Sequence, residues 1–469
     1  MRKSKTTTKL AFFAGATALV ALSPQAQAQS ADALIDKLVD KGILTVDEAK
    51  DLRDEADKNF NTAFQTKTGM PDWVTGYKIS GSVRGRYEQF SGDNQAMIDR
   101  TRLRYRLLFG VTVNMLDNME AGFRLGSGDA KGSGGNPLSQ SSTFTGNWSD
   151  KNIYIDTAYG KWTAINSGGW LLSTTVGKME NPFNFTYMVF DPDLTPEGAV
   201  LQGGYTFNDK QNIACTGGAF VLQELAASTH DPFLWGGQIQ WNSKWTEKWS
   251  SSLGVGAFAI VSPEQLTAAN ALTINQGNTR YQYNQAVPGG TTTVTALRYG
   301  YTPIIADASV TYTLESFPLY TGTFPIKLSG EAMNNPSAPK DNNGYWVGVT
   351  FGKSGTKKTW DISYRYEYLG ADAWYDQLTD DDNGAYYVPD NLGSSTSFYN
   401  GNHIASSGWY GGTNIKGHLV KFNYSFTDSL TFTVSAYLSD LITLPNQTVP
   451  AVNLNSTAIH MMADLMWKF

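Results

Sequence analysis

The chain is short of the residues on which most enzymes and stapled secreted folds depend. Its 469 residues include one cysteine, Cys215, and four histidines, His230, His403, His418 and His460. A lone cysteine closes no internal disulfide and forms no CxxC metal or redox motif, so a disulfide framework is excluded and Cys215 is expected to be a packed, inert thiol. No G-x-S-x-G, P-loop or HExxH pattern accompanies the histidines. Without a nucleophile and base or a metal motif, no catalysis and no cofactor are expected. Long hydrophobic runs are missing too: the apolar stretch Leu10 to Leu22 spans thirteen residues, against the ~20 a membrane-crossing helix needs. No Pro- or Ser-rich linker divides the chain, which argues for one large domain.

That short apolar stretch follows Arg2, Lys3, Lys5 and Lys9 and precedes Ala26-Gln27-Ala28, so residues 1–28 read as a secretory signal cleaved after Ala28. Its loss would remove four of the 36 Lys and Arg and none of the 42 Asp and Glu, leaving 32 against 42 and a net charge of −10. A polyanion is a poor partner for such a chain, and nucleic acid is excluded as one.

What is abundant is glycine and aromatics: 46 Gly, 13 Trp, 24 Tyr and 23 Phe at a mean hydropathy of −0.31. Many aromatics without long apolar runs suit a transmembrane barrel, in which lipid-facing and lumen-facing residues alternate and average out. Helical periodicity is confined to residues 31–59, where Leu34, Ile35, Leu38 and Val39 share one face and Val46, Ala49, Leu52 and Ala56 another. Thr45 and Glu48 form a capping box. Residues 29–68 are therefore expected to be a short periplasmic helical or coiled-coil segment. Too short to stand alone, it would either self-associate in a trimer or lie against the rim of the barrel.

From residue 69 to 469 the period is two. Ile459, Met461, Ala463, Leu465, Trp467 and Phe469 alternate with Ala458, His460, Met462, Asp464, Met466 and Lys468. Leu430 to Ser439 and Ala306 to Glu315 repeat the pattern, over ten residues each, the length of a tilted membrane strand. Such segments fall near 77–89, 99–114, 118–128, 151–163, 169–179, 199–207, 211–222, 232–246, 249–260, 303–315, 322–332, 343–352, 357–369, 414–426, 428–440 and 457–469. The fold predicted is all-β: a transmembrane antiparallel β-barrel of about sixteen strands. Tight turns such as 116–118 and 208–210 alternate with long loops at 129–150, 180–198, 261–302 and 370–413. Each of the two longest could hide a further hairpin, making eighteen strands.

Charge on the lipid face of a barrel costs about 2 to 4 kcal/mol at the midplane, so arginines spaced by two must line the interior. Arg84 and Arg86, then Arg102, Arg104 and Arg106, then Arg124 form a basic wall on three successive strands. The third long loop carries Phe183, Phe185, Tyr187 and Phe190 and should pack rather than extend into water. Folded inward, it would bring Asp191, Asp193 and Glu197 to the arginines, setting a transverse field that biases which solutes pass. The plainer alternative is that these charges pair with one another and stiffen the barrel. Asp380-Asp381-Asp382-Asn383-Gly384 has acidic character but departs from the EF-hand pattern, with Thr379 at its first position and no closing glutamate. It reads as a solvated acidic loop with weak affinity for divalent ions, and no metal site is assigned.

The leader, the helical stretch Ala31 to Lys58, the loop sequence Phe190-Asp191-Pro192-Asp193-Leu194-Thr195-Pro196-Glu197-Gly198 and the terminal Trp467-Lys468-Phe469 resemble the bacterial outer-membrane porin superfamily, in particular porins related to the phosphate- and polyphosphate-selective group. The resemblance implies a homotrimer in the outer-membrane bilayer, an inward-folded third loop, and Phe469 as the signal read by the outer-membrane assembly machinery. It does not fix the solute; the function expected is passive diffusion of small hydrophilic solutes and ions through a water-filled pore. The alternatives are a channel selective for phosphate or sugar, and a plugged structural or adhesive barrel.

Overall fold

Strict alternation of polar and apolar side chains lets a strand bury one face while the other meets lipid, and the chain uses it sixteen times. The computed structural model describes Ala49 and residues 71–92, 99–129, 139–226, 228–270, 276–384, 398–399, 402–403, 412–443 and 457–469. The first eight barrel strands are β1 (Val74–Gly92), β2 (Arg100–Met115), β3 (Met119–Gly128), β4 (Asn152–Ser167), β5 (Trp170–Lys178), β6 (Glu197–Asn208), β7 (Gln211–Val221) and β8 (Phe233–Lys244). The other eight are β9 (Trp249–Val261), β10 (Ile304–Leu314), β11 (Phe324–Asn334), β12 (Asn343–Gly352), β13 (Trp360–Leu369), β14 (Ile415–Ser425), β15 (Leu430–Leu441) and β16 (Ala458–Lys468). From Gly76 to Phe469 the barrel forms one compact unit. The expected leader, 1–28, lies outside the described residues; of the segment 29–68 only Ala49 is described, and it is helical.

Each strand pairs antiparallel with its neighbours in sequence, and β1 pairs with both β2 and β16, which closes the barrel. Closure satisfies every strand edge, a requirement in lipid. The seam is tight: Gly81 and Phe469 exchange backbone hydrogen bonds of 2.9 and 3.1 Å. A Cβ on Gly81 would lie 2.4 Å from the Leu108 carbonyl oxygen and 2.5 Å from the Phe469 ring, so only glycine fits there.

The faces are inverted relative to a water-soluble protein. Val83, Tyr87, Leu103, Phe109, Ile459 and Met461 are exposed on the outside, while Ser82, Glu88, Arg102, Arg104, His460 and Asp464 are buried within. Near the short turns the exterior carries Trp162, Trp170, Phe207, Trp245, Trp249 and Trp467, an aromatic band of the kind that sits at a membrane–water interface.

Two expectations change. The fifth long loop does hold a hairpin, Arg280–Val287 with Gly290–Leu297, but it joins a small separate sheet with two short strands of the seventh loop and is not spliced into the wall. The barrel therefore stays at sixteen strands. Cys215 is not packed: it is exposed, opposite the equally exposed Ile239 on β8, because its parity on β7 places it on the outward face.

Candidate functional site

Parity on β1 and β2 turns five guanidinium groups inward. Arg84, Arg86, Arg102, Arg104 and Arg106 line one cavity of about 440 Å³, whose other lining includes Asp191 and Asp193 of the third long loop (179–196) and Asp380, Asp381 and Asp382 of the seventh (370–414). Lys421 of β14, Lys468 and Asp464 of β16 complete the charged lining.

The arginines divide into two groups. Arg102 and Arg104 are anchored to the wall: Glu88, fully buried, accepts from Arg102 and from His460 Nε2 at 3.0 Å, and lies 3.6 Å from Arg104. His460 stacks on Phe90 at 4.2 Å. Arg86 holds Asp464 with two bonds of 2.8 and 2.9 Å. Reaching further, Arg84 donates to Ser141 Oγ at 2.7 Å and Arg106 approaches Asp193 at 3.5 Å. Ser139 and Gln140 of the second long loop buttress Arg104 and Arg106.

The third loop is fixed to the inner wall. Thr186 donates its backbone N–H and hydroxyl to Glu331 of β11 at 3.1 and 2.7 Å, and Asn184 N–H donates to Gln238 of β8 at 2.8 Å. Phe183 and Phe190 meet Phe258 of β9 edge-on at 4.9 and 5.4 Å, and Trp374 of the seventh loop donates to the Val189 carbonyl at 2.8 Å. Two backbone bonds stitch the loops together, Asp191 N–H to the Leu378 carbonyl at 2.8 Å and Asp380 N–H to the Tyr187 carbonyl at 3.0 Å.

This stitching gathers acids. Oxygens of Asp191, Asp380 and Asp381 lie within 4.8 Å of one another. Burial and then the neighbouring carboxylates push Asp191 and Asp380 well above the usual carboxylate range and Asp381 up to about 7. The solvated acidic loop expected from the sequence is thus corrected: Asp380 is only 5% exposed, because the third loop covers it.

Two residues singled out in the sequence stand apart from the cavity. Arg124 on β3 is bonded to Asp156 and Glu180, where a bulge in β4 inserts Asp156 beside it. Glu197 is the first residue of β6 and pairs across the sheet with Lys178 at 2.9 Å. Asp464, Lys468 and Lys421 were not singled out in the sequence, although alternation puts the first two on the mixed face of the last strand and sets Lys421, Asn423 and Ser425 against Val420, Phe422, Tyr424 and Phe426.

Residues 93–302 match a family model described as "Putative porin". This agrees with the porin resemblance and singles out no phosphate-selective group. No curated protein sequence matches the chain. Among solved structures, OprB of Pseudomonas putida aligns at 9% identity and a TM-score of 0.48, over 84% of this chain and 94% of that one. A trimer form of OmpT, an outer membrane protein of Vibrio cholerae, aligns at 8% identity and a TM-score of 0.41, over 84% and 99%. A mutant Rh. blastica porin does so at 8% and 0.38, over 84% and 100%. The family match and the closed barrel support an outer-membrane channel.

Proposed function

We propose that the chain is an outer-membrane porin through which small hydrophilic solutes and ions diffuse passively, with the third loop as the constriction. The observation that carries this reading is the charged cavity, where five inward arginines meet acids delivered by two loops. Solute entering such a space crosses a transverse field, which orders polar molecules and sorts ions without binding them tightly. Nothing in this arrangement calls for a catalytic step.

Cleavage of residues 1–28, recognition of Phe469 by the assembly machinery and a homotrimeric state belong to the same proposal. A second reading, preference for anions such as phosphate, is favoured by Lys421 and Lys468, which join the five arginines in one lining.

Liposome swelling with sugars of graded size tests the first reading. The folded chain should admit small sugars and reject large ones, and Arg106→Gln should leave the size limit in place. Vesicles that fail to swell with any sugar while containing folded barrel would contradict it. Competition by phosphate separates the second reading from the first.

A further inference from the structure

Three carboxylates from two loops are held together at Asp191, Asp380 and Asp381, with their ligand oxygens within 4.8 Å of one another. Calcium, with oxygen bonds of about 2.4 Å and a flexible coordination shell, can reach oxygens gathered within that distance. The donor set is oxygen alone, with neither imidazole nor thiolate, which suits a hard cation.

A second observation points at the same place. Asp380 is buried, 5% exposed, and its Oδ2 has no hydrogen-bond partner. Its Oδ1 accepts from Asp382 N–H at 3.2 Å, as Asp191 Oδ1 accepts from Asp193 N–H at 2.6 Å. A buried carboxylate oxygen with nothing to accept is expensive to keep, and a bound cation removes the cost. The neighbouring guanidinium of Arg365 does not supply the partner: it lies over the rings of Tyr187 and Trp346 at 5.5 and 5.7 Å and is 3.2 Å from Glu367.

We propose that Asp191, Asp380 and Asp381 bind one calcium ion that ties the third loop to the seventh. The ion completes the clasp begun by the two backbone bonds between these loops. The ion's two positive charges offset two of the three carboxylates when it binds, leaving one negative charge beside the arginine wall, so calcium acts on the balance of charge as well as on loop position.

Equilibrium dialysis with radioactive calcium on the full, folded chain in detergent provides the test. The unsubstituted chain should bind one ion that Asp191→Asn and Asp380→Asn each weaken at least tenfold, while Asp209→Asn, in an exposed tight turn, binds normally. Heat-dependent gel mobility verifies that each variant is a folded barrel. Equal calcium binding by all four chains overturns the proposal. Should the two cluster variants not fold, terbium on the unsubstituted chain decides: Tyr187 and Tyr437 line the same cavity, so sensitised luminescence that calcium displaces at one ion per chain supports the site, and its absence overturns it. Dialysis reads binding directly, so its outcome is separate from whether solute flows.

Discussion

Glu88 shows how one side chain decides what an arginine ladder can do. Buried and set between Arg102, Arg104 and His460, it converts two of five guanidinium groups into a structural anchor. Removing one partner of a buried ion pair strands the others, at a cost of about 3 kcal/mol or more. Glu88→Ala should therefore lower the urea midpoint for unfolding markedly. Arg106 differs, since its nearest acid is Asp193 at 3.5 Å, on a loop rather than on the wall. Arg106→Gln should leave the unfolding free energy within about 0.5 kcal/mol of the original, in the range of a substitution outside a buried network, yet move the reversal potential toward cation preference. Of the two readings of the charges drawn from the sequence, rigid pairing describes Arg102 and Arg104; the field reading is proposed for Arg106, and the reversal potential tests it.

At the scale of elements, strands were legible and loops were not. Strand positions follow from a local period of two, so Asn343–Gly352 was placed to the residue and others within a few. The aromatic third loop also announced that it would pack. Its partner did not: Trp374 and the Asp380 segment meet it from nearly two hundred residues away, a juxtaposition set by barrel closure and by no local pattern. Trp374 is fully buried, and Trp374→Ala, which opens a cavity worth about 3 to 5 kcal/mol, should detach the third loop. Single-channel current should then become larger and noisier, whereas an unchanged current would mean that the loop is held by its contacts to β8, β9 and β11.

The contact between the fifth and seventh loops carries a pH dependence. Asp372 accepts from Thr279 N–H and hydroxyl at 2.9 and 2.6 Å and from the Tyr301 hydroxyl at 3.3 Å, yet burial, abetted by Asp341, pushes it from 3.8 up to about 6. A raised carboxyl favours the protonated folded form, so this stability is present below about pH 4 and is lost as pH rises through about 6. Hydrogen exchange of the two loops, corrected for intrinsic rates, should accelerate across that window. Asp372→Asn should flatten the profile.

For the whole molecule, the apolar exterior, the aromatic band near the short turns and the closed hydrogen-bond circuit all point to a bilayer, and the charged interior points to water. The central claim is that this interior conducts. Single-channel recording of the full chain refolded into a planar lipid bilayer, with the reversal potential taken across a salt gradient, measures it directly. Discrete current steps, with a reversal potential that moves toward cations in Arg106→Gln, are the predicted result. Silence from a barrel verified as folded and inserted would contradict the account and make the charged cavity a plug.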